Sequence, residues 1–371
     1  MIVKNRLDSA FKTLRDGPTE LASGMLGFRC NICGGACLAP MAALSRETSS
    51  CAACGSTVRM RGMVHALSLA LFNQSLAIPD FPERKDIVGK GMSDWDGYAL
   101  PLAQKLSYTN TYYHKEPHLD IMEIGDTDQG SVDFLLSTDV FEHVAPPVLR
   151  GFANARAMLR GDAGALVFSV PYAHTTETVE HFPNLHAYAI EERDGQRVLV
   201  NRTQDGQIEE FTDLVFHGGE GDTLEMRVFS ETGLLEDLAQ AGFGDVRIVS
   251  APCFEHGIYW PLTWGLPMIA RVKPHRLQVV NWGPQAGRIG APANRQADGR
   301  AAIWLKLDGS LLGAIFHLSI GDLPGEKLAG REKLITAVIP ESVMATPGRY
   351  PVVLTIEGEV PMFLGDFLVY S

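Results

Sequence analysis

The chain of 371 residues has no long apolar run: its most apolar early stretch, Leu67 to Phe72, falls far short of the roughly 20 residues that span a bilayer. No membrane-spanning segment is expected. Basic charge is also scarce. Lys and Arg number 32 against 44 Asp and Glu, a formal charge of -12, which disfavours a general nucleic-acid binder held by counterion release. Six cysteines are too few for a disulfide scaffold. Met1 to Asp8 carries charges where an export signal would need continuous apolar sequence, so a cytoplasmic address is expected. What remains is a core-forming composition, 46% hydrophobic and 20% charged, long enough at about 150 residues per domain for two or three domains.

The cysteines and the charge are unevenly spread. Five of the six cysteines lie between Cys30 and Cys54, and residues 1–65 carry a net +4 against -16 for the remainder. Cys30-Asn-Ile-Cys33 and Cys51-Ala-Ala-Cys54 are two C-x2-C knuckles 17 residues apart, the spacing of a four-cysteine zinc site. Four protein ligands close the coordination sphere, so the expected zinc is structural. Cys37 is an alternative thiol of poorer spacing, and Cys253 reads as a small core residue. Arg59 and Arg61 could reach phosphate but are expected on a solvated face.

From about Asp86, short apolar strands alternate with helical segments, the pattern of an α/β sheet. The first strand runs into Gly89-Lys90-Gly91-Met92-Ser93-Asp94, whose glycines would let a ligand approach the backbone. Ser131 to Val144 reads as a buried strand whose polar end, Ser137-Thr138-Asp139, faces a ligand crevice. Pro146-Pro147 opens a helix closed by Gly161, and Ala165 to Val170 is a further strand. Ser230 caps a helix that stops at Gly242. A helix after Ser93 should begin near Leu100, with Pro101 in its first turn.

Val132-Asp133-Phe134, Asp139-Val140-Phe141-Glu142-His143-Val144, Arg156 to Gly161 and Leu238 to Phe243 together resemble the class I S-adenosylmethionine (SAM) dependent methyltransferases, over roughly Asp86 to Lys273. The resemblance implies a Rossmann-like core. It implies that Gly89, Gly91 and Ser93 surround the methionine end of SAM, that Asp120 and Ile121 sit near adenine, and that Ser137 and Thr138 lie beside the sulfonium. Two positions depart from the family pattern. Ile87 stands where an acidic residue is usual, and Asn110 replaces the ribose-binding carboxylate, with Glu116 a substitute. The short span from Asn110 to Asp120 leaves little room for the usual helix.

Between Pro171 and Ser230 the chain inserts about sixty residues, with Asp194-Gly195 and Asp205-Gly206 both suited to type I′ hairpin turns. We read residues of about 172–229 as a lid over the acceptor. It holds His174, His181, His186 and His217, the last in Phe216-His217-Gly218-Gly219-Glu220. Methyl transfer to a hydroxyl needs a base, and His181 and His217 are the candidate catalytic residues, with Glu180 and Asp139 as alternatives. His143, in the strand-end pattern, reads as structural or cofactor-side. Tyr259, Trp260 and Trp264 could stack on a sugar but read first as core.

Beyond the basic, proline-broken Arg271–Arg276 segment, read as a linker or domain edge, helices vanish. Ala301 to Leu307, Leu311 to Ile320, Lys333 to Ile339, Arg349 to Glu357 and Met362 to Tyr370 are β-prone runs between regular turns, which indicates a β-sandwich. Trp282-Gly283-Pro284 and Thr346 to Tyr350 resemble Ig-like modules of the IPT/TIG type. Such a module implies carbohydrate binding, dimerisation or domain packing. The expected organisation is thus α/β: a zinc ribbon over 1–80, a methyltransferase-like domain over 81–273 and a sandwich over 276–371. The expected activity is O-methylation of a saccharide or nucleotide-sugar acceptor in polysaccharide biosynthesis. The alternatives are an inactive scaffold or carbohydrate-binding protein of such a system, and a nucleic-acid methyltransferase guided by the basic ribbon.

Overall fold

The computed structural model describes residues 24–161, 163–217, 223–272, 277, 279–311, 314–357 and 361–371. Met1–Asp8, Gly218-Gly219-Glu220 and the Lys273–Arg276 part of the expected linker lie outside the described residues, whereas Arg271 and Val272 belong to the strand Met268–Val272 rather than to a linker.

The cysteine-rich start is a hairpin of β1 (Met25–Arg29) and β2 (Ala36–Pro40), followed by helix α1 (Val58–Phe72). Thr57 caps α1 by accepting the Met60 N–H at 3.4 Å. The helix is buried almost all round, with Val58, Met63, Val64 and Leu67 essentially inaccessible. One face meets the knuckles and another meets the main sheet, so Val64 and Leu67 share a core with Leu136, Val167 and Ile269.

That sheet has six strands. β3 (Arg84–Met92), β4 (Leu106–Thr111), β5 (Phe134–Thr138) and β6 (Ala165–Ser169) run parallel; Met268–Val272 is antiparallel to β6, and Phe243–Ile248 closes the edge. Spatially β4 and β5 flank β3 on opposite sides. The chain order therefore reverses between β3 and β5, which makes a topological switch point where open α/β sheets place their ligand crevice. Helices cover both faces. α2 (Asp96–Lys105) shares the α1 side, while α3 (Val148–Met158) and α4 (Glu231–Gln240) pack on the other through Phe152, Ala155, Leu234 and Leu238. Ser230 caps α4 as expected, its Oγ accepting the Gly233 N–H at 2.9 Å. α2 begins at Asp96 rather than near Leu100, so Pro101 lies inside it. Gly97, four residues earlier, has no side chain, and the Trp95 ring occupies that space.

The insert contains the expected meander, Ala187–Arg193, Gln196–Arg202 and Ile208–Phe211. Asp194 and Gly195 both have positive φ, as a type I′ turn needs. At the second hairpin only Gly206 does, and the Thr203 N–H reaches the Gln207 carbonyl at 2.9 Å. That connection is a longer, bulged loop rather than type I′.

The C-terminal part has two sheets sharing one core. Val279–Gly283, Ala302–Leu307, Leu334–Val338 and Glu326–Arg331 form one; Ala286–Arg288, Met362–Tyr370, Gly348–Ile356, Phe316–Ile320 and Leu323–Pro324 form the other. Trp282 bridges them, its Nε1–H donating to the Leu364 carbonyl at 2.8 Å. Helix does not vanish altogether: Glu341–Ala345 makes a short one after Pro340. Among the described residues no helix is long and apolar enough to cross a membrane.

Candidate functional site

The Sγ atoms of Cys30, Cys33, Cys51 and Cys54 all lie within 4.8 Å of one another. The Cys30–Cys54 and Cys33–Cys51 sulfur separations are both 3.7 Å. Zinc–sulfur bonds of about 2.3 Å in a tetrahedron give sulfur–sulfur edges of about 3.8 Å, so the donor set fits that metal. Cys37 stands outside the set, its Sγ 3.4 Å from Cys51 Sγ as a donor. Arg61 is fully buried rather than solvated. It donates to the His256, Gly257 and Ser56 carbonyls at 2.9 Å and lies over the Phe28 ring, tying the second knuckle to the 254–258 turn.

At the switch point the glycines serve packing. Gly89 is in register with both Tyr108 on β4 and Phe134 on β5, whose rings stack 6.0 Å apart. A Cβ on Gly89 would stand 2.1 Å from the Phe134 ring, and one on Gly91 1.8 Å from the Tyr108 hydroxyl. The space those glycines leave is therefore filled by the protein's own aromatic side chains.

Asp94, 4% exposed, receives hydrogen bonds from Tyr98 at 2.6 Å, from Tyr108 and from Thr138 at 3.3 Å. Burial pushes its carboxyl up to about 7, against the opposing pull of these donors. Asn110 closes the same turn: its Oδ1 accepts the Asp94 N–H at 2.9 Å and its Nδ2 donates to the Asp94 carbonyl and to Tyr112. Ser93 carries a positive φ of 57° in this turn. Asp120 Oδ1 accepts the Met122 N–H, and Ile121 is buried on the α3 side, its carbonyl bound by Asn154. Thr138 joins the Asp94–Tyr98 cluster. Ser137, fully buried at the end of β5, has no hydrogen-bond partner for its Oγ among the described residues.

Asp139, also at positive φ, is gripped from the cysteine-rich side. Arg46 Nη2 lies 2.7 and 2.9 Å from its two oxygens, Arg59 Nε 3.4 Å away, and Ser169 donates at 2.7 Å. Burial opposes ionisation there, but Arg46, Arg59 and Ser169 hold the carboxyl below its ordinary range. The guanidinium of Arg46 also lies 5.2 Å from the centre of Trp264, which is 38% exposed. Tyr259 instead stacks on Phe254, and Trp260 packs over Gly62, so the three aromatics do not form one cluster. Glu180 is bound by the buried Arg227 at 2.6 Å. As ion-paired groups, Glu180 and Asp139 are poor bases.

The two candidate histidines converge on one carboxylate. Glu225 Oε1 is 2.9 Å from His181 Nε2, and its Oε2 is 3.2 Å from His217 Nε2. A carboxylate in this position orients both rings and fixes their tautomers. The His217 ring lies 5.1 Å from that of His143, placing the pair beside the chain leaving β5. Arg227 ties the parts together by donating to the Phe141 and Val144 carbonyls at 2.8 and 2.6 Å. No spacing rule singled out Glu225, which reaches the histidines only through folding. Glu142 was visible in the Glu-His pair after β5, but its complete burial was not.

No protein-family model matches the chain, and no curated protein matches it. Solved structures do. A 1,6-didemethyltoxoflavin N1-methyltransferase from Burkholderia thailandensis, bound to its substrate and S-adenosylhomocysteine, is 17% identical over 57% of this chain and 79% of its own, with a TM-score of 0.32. A SAM-dependent methyltransferase from Clostridium acetobutylicum is 9% identical over 59% and 93%, with a TM-score of 0.35. One from Mesorhizobium loti is 15% identical over 52% and 94%, with a TM-score of 0.29.

Proposed function

We propose that the protein is a cytoplasmic SAM-dependent methyltransferase whose acceptor is a hydroxyl of a saccharide or nucleotide sugar, with structural zinc in the four-cysteine site. The proposed units are 1–80, 81–273 and 276–371, the last serving acceptor binding or self-association. The observation that carries this reading is a convergence: the histidine pair held by Glu225 stands beside the chain leaving β5, next to the β3–β5 switch point. The unpartnered, buried Ser137 hydroxyl at the same strand end is a polar group left over for a ligand. SAM, when bound, supplies an electrophilic methyl group. The chain's own residues do the rest. His181 or His217 takes the acceptor proton, Glu225 orients the ring, the inserted hairpins exclude water, and the half-exposed Trp264 offers a face to a sugar ring.

A second reading, an inactive scaffold on the same fold, is favoured by Asn110, whose amide is spent on Asp94, and by the filled space over Gly91. Calorimetric titration of the zinc-loaded protein with SAM separates the two. Saturable heat supports the enzyme; silence at millimolar SAM on folded protein selects the scaffold.

A further inference from the structure

We infer that Glu142, His143 and His217 form a binding site for one divalent first-row transition metal ion, distinct from the four-cysteine site. One donor atom from each lies within 4.8 Å of the others. His143 Nε2 is 3.8 Å from Glu142 Oε1. Two metal–ligand bonds of about 2.1 Å span at most about 4.2 Å, so one ion can bridge this pair as it stands.

Glu142 is the unusual member. It is fully buried, and neither carboxylate oxygen has a hydrogen-bond partner among the described residues. A buried carboxylate without a partner is costly, and a cation between it and two imidazoles removes that cost. Local structure holds it in place: its own carbonyl accepts the Met226 N–H at 2.8 Å, and Arg227 grips the carbonyls of Phe141 and Val144 on either side.

The histidines are arranged as ligands. His143 Nδ1 lies 2.9 Å from the Leu224 carbonyl, so the proton sits on Nδ1 and the Nε2 lone pair faces Glu142. A backbone carbonyl on the remote ring nitrogen is the common support of a metal-bound imidazole. His217 is held by Glu225, which gives the cluster a second carboxylate in its outer layer. Two imidazoles and one carboxylate suit zinc, iron, manganese or nickel better than calcium or magnesium, which prefer all-oxygen sets. Three protein ligands leave coordination positions open. Resting on the methyltransferase reading, those positions would hold the acceptor hydroxyl and lower its pKa, with His217 a ligand and His181 the remaining base.

Full-length protein carrying one zinc per chain would be titrated with manganese(II), followed by electron paramagnetic resonance, and with zinc(II), followed by native mass spectrometry. A second equivalent of metal per chain is expected. His143→Gln and His217→Gln should each weaken it at least about tenfold while the first zinc stays. Glu142→Gln should do the same in protein whose far-ultraviolet dichroism is unchanged. A wild-type protein saturating at one metal, or a second equivalent that survives both histidine substitutions, overturns the site and leaves Glu142 as a buried, protonated acid. SAM calorimetry on the same samples is independent: metal without SAM binding defeats only the enzyme reading, and SAM without the second metal defeats only this one.

Discussion

Arg46 and Asp139 are 93 positions apart in sequence and form a two-point ion pair, Nη2 lying 2.7 and 2.9 Å from the two carboxylate oxygens. Only 12% of one side chain and 19% of the other are exposed. The pair joins the cysteine-rich segment to the carboxyl end of β5, beside the switch point. Removing Arg46 leaves a largely buried carboxylate with only Arg59 and Ser169 to hold it, at a cost of about 2 kcal/mol. Arg46→Ala should lower the urea midpoint accordingly, and Arg46→Ala with Asp139→Asn should recover much of the loss. The pair also sets an acid limit: the Asp139 carboxyl is held below its ordinary value of 3.8, so its stabilisation is full above that pH and fades as pH falls further. Arg46→Ala should reduce that acid sensitivity, leaving the part that Arg59 and Ser169 supply.

Asp94 should act in the opposite direction. Its carboxyl titrates near 7 in the folded chain against 3.8 when exposed, so between those values the folded state binds the extra proton. Stability contributed by Asp94 is therefore greatest below pH 4, declines as pH rises towards 7 and is flat above. Glu142 and Asp237 are shifted the same way, so the wild type alone cannot isolate one group. The difference between wild type and Asp94→Asn does: in melts from pH 5 to 8 the variant should lose less stability. Parallel curves would contradict a buried, proton-binding Asp94.

Gly91→Ala tests the packing role of the glycine pair. The new methyl would meet the Tyr108 hydroxyl at 1.8 Å and Asp94 Oδ2 at 2.4 Å. Both neighbours are buried and hydrogen-bonded, so relief requires moving β4 or breaking the Asp94 cluster, which should destabilise the ligand-free protein by about 3 kcal/mol. Tyr108→Phe in the same chain removes the nearest atom and should restore part of the loss. A glycine kept open only for a ligand would leave the melting temperature of the ligand-free protein unchanged.

The sheet was legible in the sequence because its central strands β5 and β6 are apolar runs and its helices carry their own punctuation: Ser230 and Gly242 bracket α4 as read. The metal knuckles were legible because ligand spacing is a local property. The aromatic clamp over β3 was not, since Tyr108 and Phe134 meet Gly89 only through register. Arg61 was misread as solvated for the same reason: the carbonyls of His256 and Gly257 that bury it lie nearly 200 residues away. Glu225 belongs to the same class, a carboxylate whose partners come from two different parts of the insert.

Zinc removal should reach beyond the knuckles. Because Val64 and Leu67 of α1 pack in one core with Leu136 and Val167 of the sheet, loss of the metal exposes the sheet's own face. A strong thiol-competitive chelator should therefore lower the melting temperature of the whole α/β unit, seen as lost protection of β5 and β6 in hydrogen exchange. Cys33→Ser and Cys51→Ser should lose the metal. Cys37→Ser should keep it, with weaker binding only, because Cys37 touches Cys51 as a donor rather than joining the four sulfurs.

The histidine pair can be divided by its two neighbours. Both rings touch Glu225, but only His217 stands with Glu142 and His143. If His181 is the base, His181→Ala should lower kcat by about 10²- to 10⁴-fold while leaving the metal content at its wild-type value. His217→Ala should lower kcat and metal content together. Glu225→Gln, which keeps the shape but not the charge, should lower kcat less than either histidine substitution, because the amide holds the two rings less firmly. Equal, small losses of kcat in all three, with the melting temperature falling in step, would assign the pair to lid structure, with Glu225 serving as a clasp between the chain at His181 and the chain at His217.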